Sequence, residues 1–120
     1  MNKGRKITGG KYHANRKKKL FERMSQEIMN ILGEPRRKII KAHGGNPKVL
    51  GLRDNKVNIV SNGKVHRAEI LNVIETPQNK FLARQNRLLK GAIIQTSLGK
   101  ARITNRPTQE GNVNAVLVKE

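Results

Sequence analysis

From Arg37 onward, apolar and polar residues arrive in short runs cut by turn residues, the spacing of an all-β barrel or sandwich. The runs are Arg37 to Ala42, Val49 to Arg53, Val57 to Ser61, Val65 to Ile74, Ala92 to Ser97, Lys100 to Asn105 and Val113 to Val118. Between them stand Gly44-Gly45-Asn46-Pro47, Asp54-Asn55-Lys56, Asn62-Gly63, a loop around Thr76-Pro77-Gln78-Asn79, Leu98-Gly99, and Arg106-Pro107-Thr108-Gln109-Glu110-Gly111. Asn62-Gly63 is the strongest hairpin signal, because both residue types tolerate positive φ. In Lys100 to Arg106, Ala101 and Ile103 alternate with Arg102, Thr104 and Arg106. A strand there has one small apolar face and one face carrying two guanidinium groups. Ala92 to Ile94 and the last run read continuously apolar, as in strands covered on both faces.

The first third of the chain is patterned differently. Leu20, Met24, Ile28, Ile31 and Leu32 recur at spacings of three and four, which predicts a helix over residues 20–32, stopped by Gly33 and Pro35. Phe21 and Met29 lie off that stripe. Before Leu20 there is no apolar pattern at all. Met1 to Lys19 holds eight basic residues (Lys3, Arg5, Lys6, Lys11, Arg16, Lys17, Lys18, Lys19), no acidic one, and Gly4, Gly9 and Gly10. A segment with so little to bury is expected to be disordered when free and to order on a partner. The expected organisation is therefore a basic, extended arm over residues 1–35, with room for one short helix, and an all-β body over 36–120: a small β-barrel of about six short strands.

Total charge changes the picture further. The chain of 120 residues has a formal net charge of +18 and a pI near 11.3. That much like charge opposes compaction unless a polyanion is close by. Cations on phosphates also release condensed counterions, which favours nucleic acid over an acidic protein as the partner. A membrane is not expected as partner: the densest apolar runs, Ala92-Ile93-Ile94 and Ala115-Val116-Leu117-Val118, are far shorter than the ~18 residues that span a bilayer. Met1-Asn2-Lys3-Gly4-Arg5-Lys6 has no apolar segment behind it, so no signal peptide is expected and the protein should be intracellular. The absence of cysteine removes disulfides, thiolate catalysis and cysteine-ligated zinc together. Stability has to come from burial in a body of about 85 residues, a size at which one small domain folds, though marginally.

Catalytic chemistry has no foothold. The carboxylates Glu22, Glu27, Glu34, Asp54, Glu69, Glu75, Glu110 and Glu120 are scattered singly, with no spacing that pairs them for acid and base work. His13, His43 and His66 are isolated from one another and from any carboxylate pair, so no metal site is expected; His13 and His43 suit phosphate or base edges better. Gly99-Lys100 lacks the following Ser or Thr and the upstream glycine of a nucleotide phosphate loop. The reading is of a non-enzyme without cofactor or small-molecule substrate, and no homo-oligomer is expected.

Aromatic content selects among nucleic-acid binders. Single-strand platforms stack successive bases on several rings, and only Tyr12, Phe21 and Phe81 are present. What remains is recognition of folded RNA by shape and phosphate geometry, with Arg offering a planar fork and Lys a point charge. The residues expected to meet phosphate are Arg5, Lys6, Lys11, Arg16, Lys17, Lys18 and Lys19 in the arm, and Arg36, Arg37, Lys48, Arg84, Arg87, Lys90, Arg102 and Arg106 in the body.

Several motifs recur together in a known order. Gly4-Arg5-Lys6, Thr8-Gly9-Gly10 and Arg16-Lys17-Lys18-Lys19 open the chain; Gly44-Gly45-Asn46 with Lys48 follows. Lys90-Gly91-Ala92-Ile93-Ile94, Gly99, Ala101-Arg102, Arg106-Pro107, Gln109, Gly111 and Asn114-Ala115-Val116-Leu117 close it. Over nearly its whole length the sequence resembles the small-subunit ribosomal protein eight-e family of archaea and eukaryotes, and its short length resembles the archaeal members. The resemblance implies a small β-barrel whose arm runs into ribosomal RNA, neighbouring small-subunit proteins as further partners, a cytoplasmic location in the small subunit, and no catalysis. The sequence departs from the family pattern at Thr76 and Gln78 in a loop that is usually Asn-Pro-Ala-Asn, at Leu89 for threonine, at Thr108 for glycine, and over residues 20–32, which lack the usual prolines; there the resemblance implies an extended course where the spacing predicts a helix, and both readings stay open. Two other classes compete. One is a large-subunit assembly factor sharing this domain, which usually carries a longer chain ahead of it. The other is a DNA-compacting chromatin protein, for which no recognition helix or dimerisation face is evident.

Overall fold

The structure, a computed structural model, describes residues 4–119, so Lys3 of the predicted arm lies outside the described residues. The expected all-β class and barrel are present, but the strands divide between two sheets. Five of them close a barrel: β4 (Lys56–Ser61), β5 (Lys64–Glu75), β6 (Ile93–Thr96), β7 (Gly99–Ile103) and β8 (Asn114–Leu117). The other three, β1 (Ile31–Leu32), β2 (Arg36–Lys41) and β3 (Pro47–Asp54), form a separate sheet in the order β1-β3-β2. The runs at 37–42 and 49–53 thus belong to a neighbour of the barrel and not to its wall.

Local chemistry explains the barrel's course. β4 and β5 pair from Lys56↔Glu69 to Ser61↔Lys64 across Asn62-Gly63, whose φ values of 49° and 76° make the two-residue turn that follows strand twist. Irregularities in β5 between Ile70 and Asn72 and between Val73 and Glu75 bend this long strand toward β6. β7 then pairs with both β6 and β8, and β8 meets β4 in parallel register, Asn58↔Asn114 to Val60↔Val116. Asn58 Nδ2 donates to Asn114 Oδ1 at 3.2 Å across that seam. Closure leaves no free edge on this sheet.

The interior is aliphatic: Val57, Ile59, Ala68, Ile70, Val73, Leu88, Ala92, Ile94, Ala101, Ile103, Val113 and Ala115 form one buried cluster. Ala101 and Ile103 point in while Arg102 points out, as alternation requires. Removing a buried Ile or Leu side chain from such a cluster costs ~2–5 kcal/mol.

The small sheet is held against the barrel by close backbone approach. A short helix, α2 (Pro107–Glu110), lies in what reads as the last loop; Thr108 is helical and needs no positive φ, whereas Gly111 ends the turn at φ 78°. A Cβ at Gly51 of β3 would stand 2.6 Å from Pro107 O and 2.7 Å from Asn30 Nδ2, so only glycine allows this contact. A second short helix, α1 (Lys80–Arg84), follows Asn79, whose side chain caps it by accepting from Phe81 N at 3.0 Å.

Residues 20–32 are not a helix. A three-residue 3₁₀ turn, Leu20–Glu22, is the one helical element before β1, and Leu20 and Met24 are 81% and 94% exposed. Helices of about this length are marginal without a packed face, and among the described residues nothing buries Leu20 or Met24, whereas Leu32 packs on the core in an extended segment. The later half instead bonds to the body in extended form. Leu88 N donates to Asn30 O and Leu32 N to Asn86 O, both at 2.9 Å, and Ile31 pairs with Arg53. Asn30 is fully buried, although its side-chain amide bonds no protein group. The body as folded therefore takes in residues from Glu27 onward, and the segment before it projects. The radius of gyration is 21.5 Å, against roughly 14 Å for a compact chain of this length.

Candidate nucleic-acid interface

The projecting arm is built from two local turns. In the first, Gly9 N donates to Lys6 O and Lys6 N to Gly10 O, each at 2.9 Å, while Arg5 and Lys11 bridge as a pair. Gly9 at φ 84° supplies the left-handed step of a three-residue hairpin loop. Arg5 Nη1 donates to Gly9 O at 3.1 Å, and the Lys6 ammonium stands 5.7 Å from the Tyr12 ring centroid. The second is the Leu20–Glu22 turn, where Glu22 accepts from Lys19 N at 3.1 Å and from Arg16 Nη2 at 2.7 Å. Lys11, Lys17, Lys18 and Lys19 lie exposed along the segment between them. Glu22 is the one carboxylate in residues 1–26, and it is occupied by Arg16.

The body carries the remaining predicted cations in two different ways. Arg36, Arg84, Lys90, Arg102 and Arg106 are exposed. Arg102 stands on the outer face of β7, paired with Val116 and Ile93, and Arg106 precedes α2 on the rim of a groove lined also by Gln26, Ile28, Leu89 and Gln109. Arg84 sits over the exposed Phe81 ring, 5.5 Å from its centroid. Three others bond within the fold: Arg37 stays half-exposed, Lys48 is partly buried and Arg87 is buried. Arg37 donates from Nε to Gly111 O at 2.6 Å and lies 3.5 Å from buried Asp54; Lys48 bonds the Gln109 side chain. Arg87 is 5% exposed and donates to Glu27 Oε1 at 3.0 Å, fastening the root of the arm.

Structure also exposes cations that sequence reasoning passed over. Lys38 and Lys41 lie on β2, which has a partner on one side only, and with Arg36 they line the free edge region of the small sheet. Alternation within the run does not mark an edge, so no local signal could have singled them out. Arg53, Lys56, Lys64, Arg67 and Lys80 are exposed as well, Lys56 directly opposite Glu69. Among the described residues no group of three or more His, Asp or Glu side chains is close enough to hold a metal ion.

The family model for ribosomal protein S8e matches residues 1–118. The small ribosomal subunit protein eS8 of Methanocorpusculum labreanum is 46% identical over 117 residues, covering 96% of this chain and 94% of that protein. Proteins of the same name from Haloarcula marismortui and Methanocella arvoryzae are 42% and 41% identical over 115 and 116 residues. Coverage is 96% and 95% of this chain, and 94% and 93% of theirs. With the model matched almost end to end and such identities sustained along both partners, the chain belongs to the ribosomal protein S8e family.

Proposed function

We propose that the protein is a structural constituent of the small ribosomal subunit, in the cytoplasm, that fastens folded ribosomal RNA by phosphate contacts and supports subunit assembly without catalysis. The observation that carries this reading is the separation of charge from core. The arm holds its cations outside a barrel whose main buried cluster is aliphatic. RNA contacts come from Arg5, Lys6, Lys11, Arg16, Lys17, Lys18 and Lys19, joined by Arg36, Lys38, Lys41, Arg84, Lys90, Arg102 and Arg106 on the body. Arg37 and Lys48 keep exposed surface and stay in that set while also bonding the fold, and buried Arg87 braces the root of the arm. Neighbouring small-subunit proteins complete the set of partners, as the names of the relatives support.

The test is binding of the full chain to purified small-subunit ribosomal RNA across a salt series, together with sedimentation of the tagged protein from cells. Each phosphate contact contributes about −0.7 to −0.9 to the log–log salt slope, so a steep slope and co-migration with small subunits are expected. Binding indifferent to salt, or co-migration with large-subunit precursors or chromatin, would sink the proposal.

A further inference from the structure

The arm's first hairpin displays an aliphatic side chain that its turn does not require. Ile7 occupies the first corner of the Lys6-Ile7-Thr8-Gly9 turn and is 109% exposed. The first corner of such a turn favours Pro and otherwise accepts most residues, so the turn itself does not call for a large aliphatic side chain. Ile7 is also the sole aliphatic residue larger than Ala between Gly4 and Lys19. The hairpin that presents it is ordered by its own bonds: Lys6 with Gly10, Gly9 with Lys6, and Arg5 Nη1 with Gly9 O. Arg5, Lys6 and Lys11 form a cationic collar around the tip, and no carboxylate precedes Glu22.

We infer that Ile7 is a wedge that enters folded RNA, seating its side chain against an unstacked base while Arg5, Lys6 and Lys11 hold the flanking phosphates. The inference rests on the RNA reading above and adds a contact of a different kind to it. Irregular RNA offers splayed bases with apolar faces, and aliphatic side chains serve as wedges between base steps in other nucleic-acid complexes. A collar of positive charge around an apolar tip is complementary to that environment. A protein pocket receiving the same tip would need an acidic rim.

Two substitutions separate the wedge from the turn that carries it. Ile7→Asn suits the turn at least as well as Ile but removes the apolar contact, whereas Ile7→Leu keeps it. With purified small-subunit ribosomal RNA, Ile7→Asn is expected to bind about tenfold more weakly, as for loss of one buried aliphatic side chain, at an unchanged salt slope. Ile7→Leu should stay close to the parent protein. Lys6→Gln should instead flatten the slope by about 0.8. In base-specific chemical probing, one nucleotide cluster altered by the parent protein should return to its free reactivity with Ile7→Asn. Parent-like affinity of Ile7→Asn alongside a flattened slope for Lys6→Gln would overturn the wedge and leave the RNA reading standing. Normal binding of Ile7→Asn to protein-free RNA but loss from assembled subunits would place the side chain on a neighbouring protein, which also overturns it. A parent protein with no salt slope would remove the RNA reading itself.

Discussion

The barrel and the arm of this chain solve opposite problems. The barrel buries aliphatic side chains from five strands and carries its cations on the outside, so its stability and its charge depend on different residues. Among the described residues the arm before Glu27 buries nothing and is shaped by two short turns, with its described cations exposed. Fold and binding are therefore separable at the ends and coupled only at the junction, where Asn30, Ile31 and Leu32 enter the body and Arg87 grips Glu27. The barrel keeps its shape without a partner. The arm acquires a use only with one.

The largest expected effect comes from removing the arm. Deleting Met1 to Lys19 takes away eight cations and no acid. The salt slope for RNA binding should fall by about 6 if each meets a phosphate, and affinity at physiological salt by more than ~100-fold. Thermal melting of the truncated protein should match that of the full chain within a few degrees, since none of the described residues before Leu20 is buried. A truncated protein that fails to fold would show that the arm supports the core and would break the comparison.

Gly51→Ala perturbs the other half. Its Cβ would meet Pro107 O and Asn30 Nδ2, one a backbone atom of α2 and the other the root of the arm. Overpacking of this kind costs ~1–3 kcal/mol, to be read from denaturant unfolding. The salt slope of the fraction still folded should be unchanged. Loss of slope with Gly51→Ala would mean that the junction sets the arm's course on RNA.

How much of this was legible in the sequence follows from how local each signal is. The Asn62-Gly63 hairpin and the Ala101/Ile103 against Arg102 alternation depend on neighbours two residues apart, and both stand in the structure as read. The Leu20-to-Leu32 stripe has helical spacing, but its first half is left exposed and its second half is drawn into the small sheet as a strand, which spacing alone cannot report. β1 spans two residues and pairs in parallel with β3, more than twenty positions away, so no periodicity could announce it. The same limit applies to the candidate site. Net charge and its clustering pointed to the arm, but Arg87 differs from Arg84 only in what surrounds it after folding, and that is a tertiary fact.

Arg102→Ala with Arg106→Ala should produce a smaller effect, confined to binding. Both side chains are exposed, and neither makes a hydrogen bond or ion pair seen among the described residues. Stability should stay within ~0.5 kcal/mol of the parent, while the salt slope drops by about 1.5 and affinity by roughly tenfold. Equal slopes for the double variant and the parent would confine the RNA contact to the arm and sharpen the division between the two regions.

The smallest effect expected, and the one that probes the arm's own order, is that of Glu22→Gln. Glu22 accepts from Lys19 N and from the Arg16 guanidinium. A glutamine amide oxygen can still accept from Lys19 N, so the Leu20–Glu22 turn keeps its bond, but the ion pair with Arg16 is lost. An exposed pair of this kind contributes ~0–1 kcal/mol to local order, while a released Arg16 becomes a full cation available to phosphate. RNA affinity should therefore rise by a few fold, with a slope steeper by up to about 0.8, and the melting temperature of the body should not move. Weaker binding would mean that Arg16 meets its phosphate only when Glu22 holds it in place, making the turn a preformed part of the contact surface.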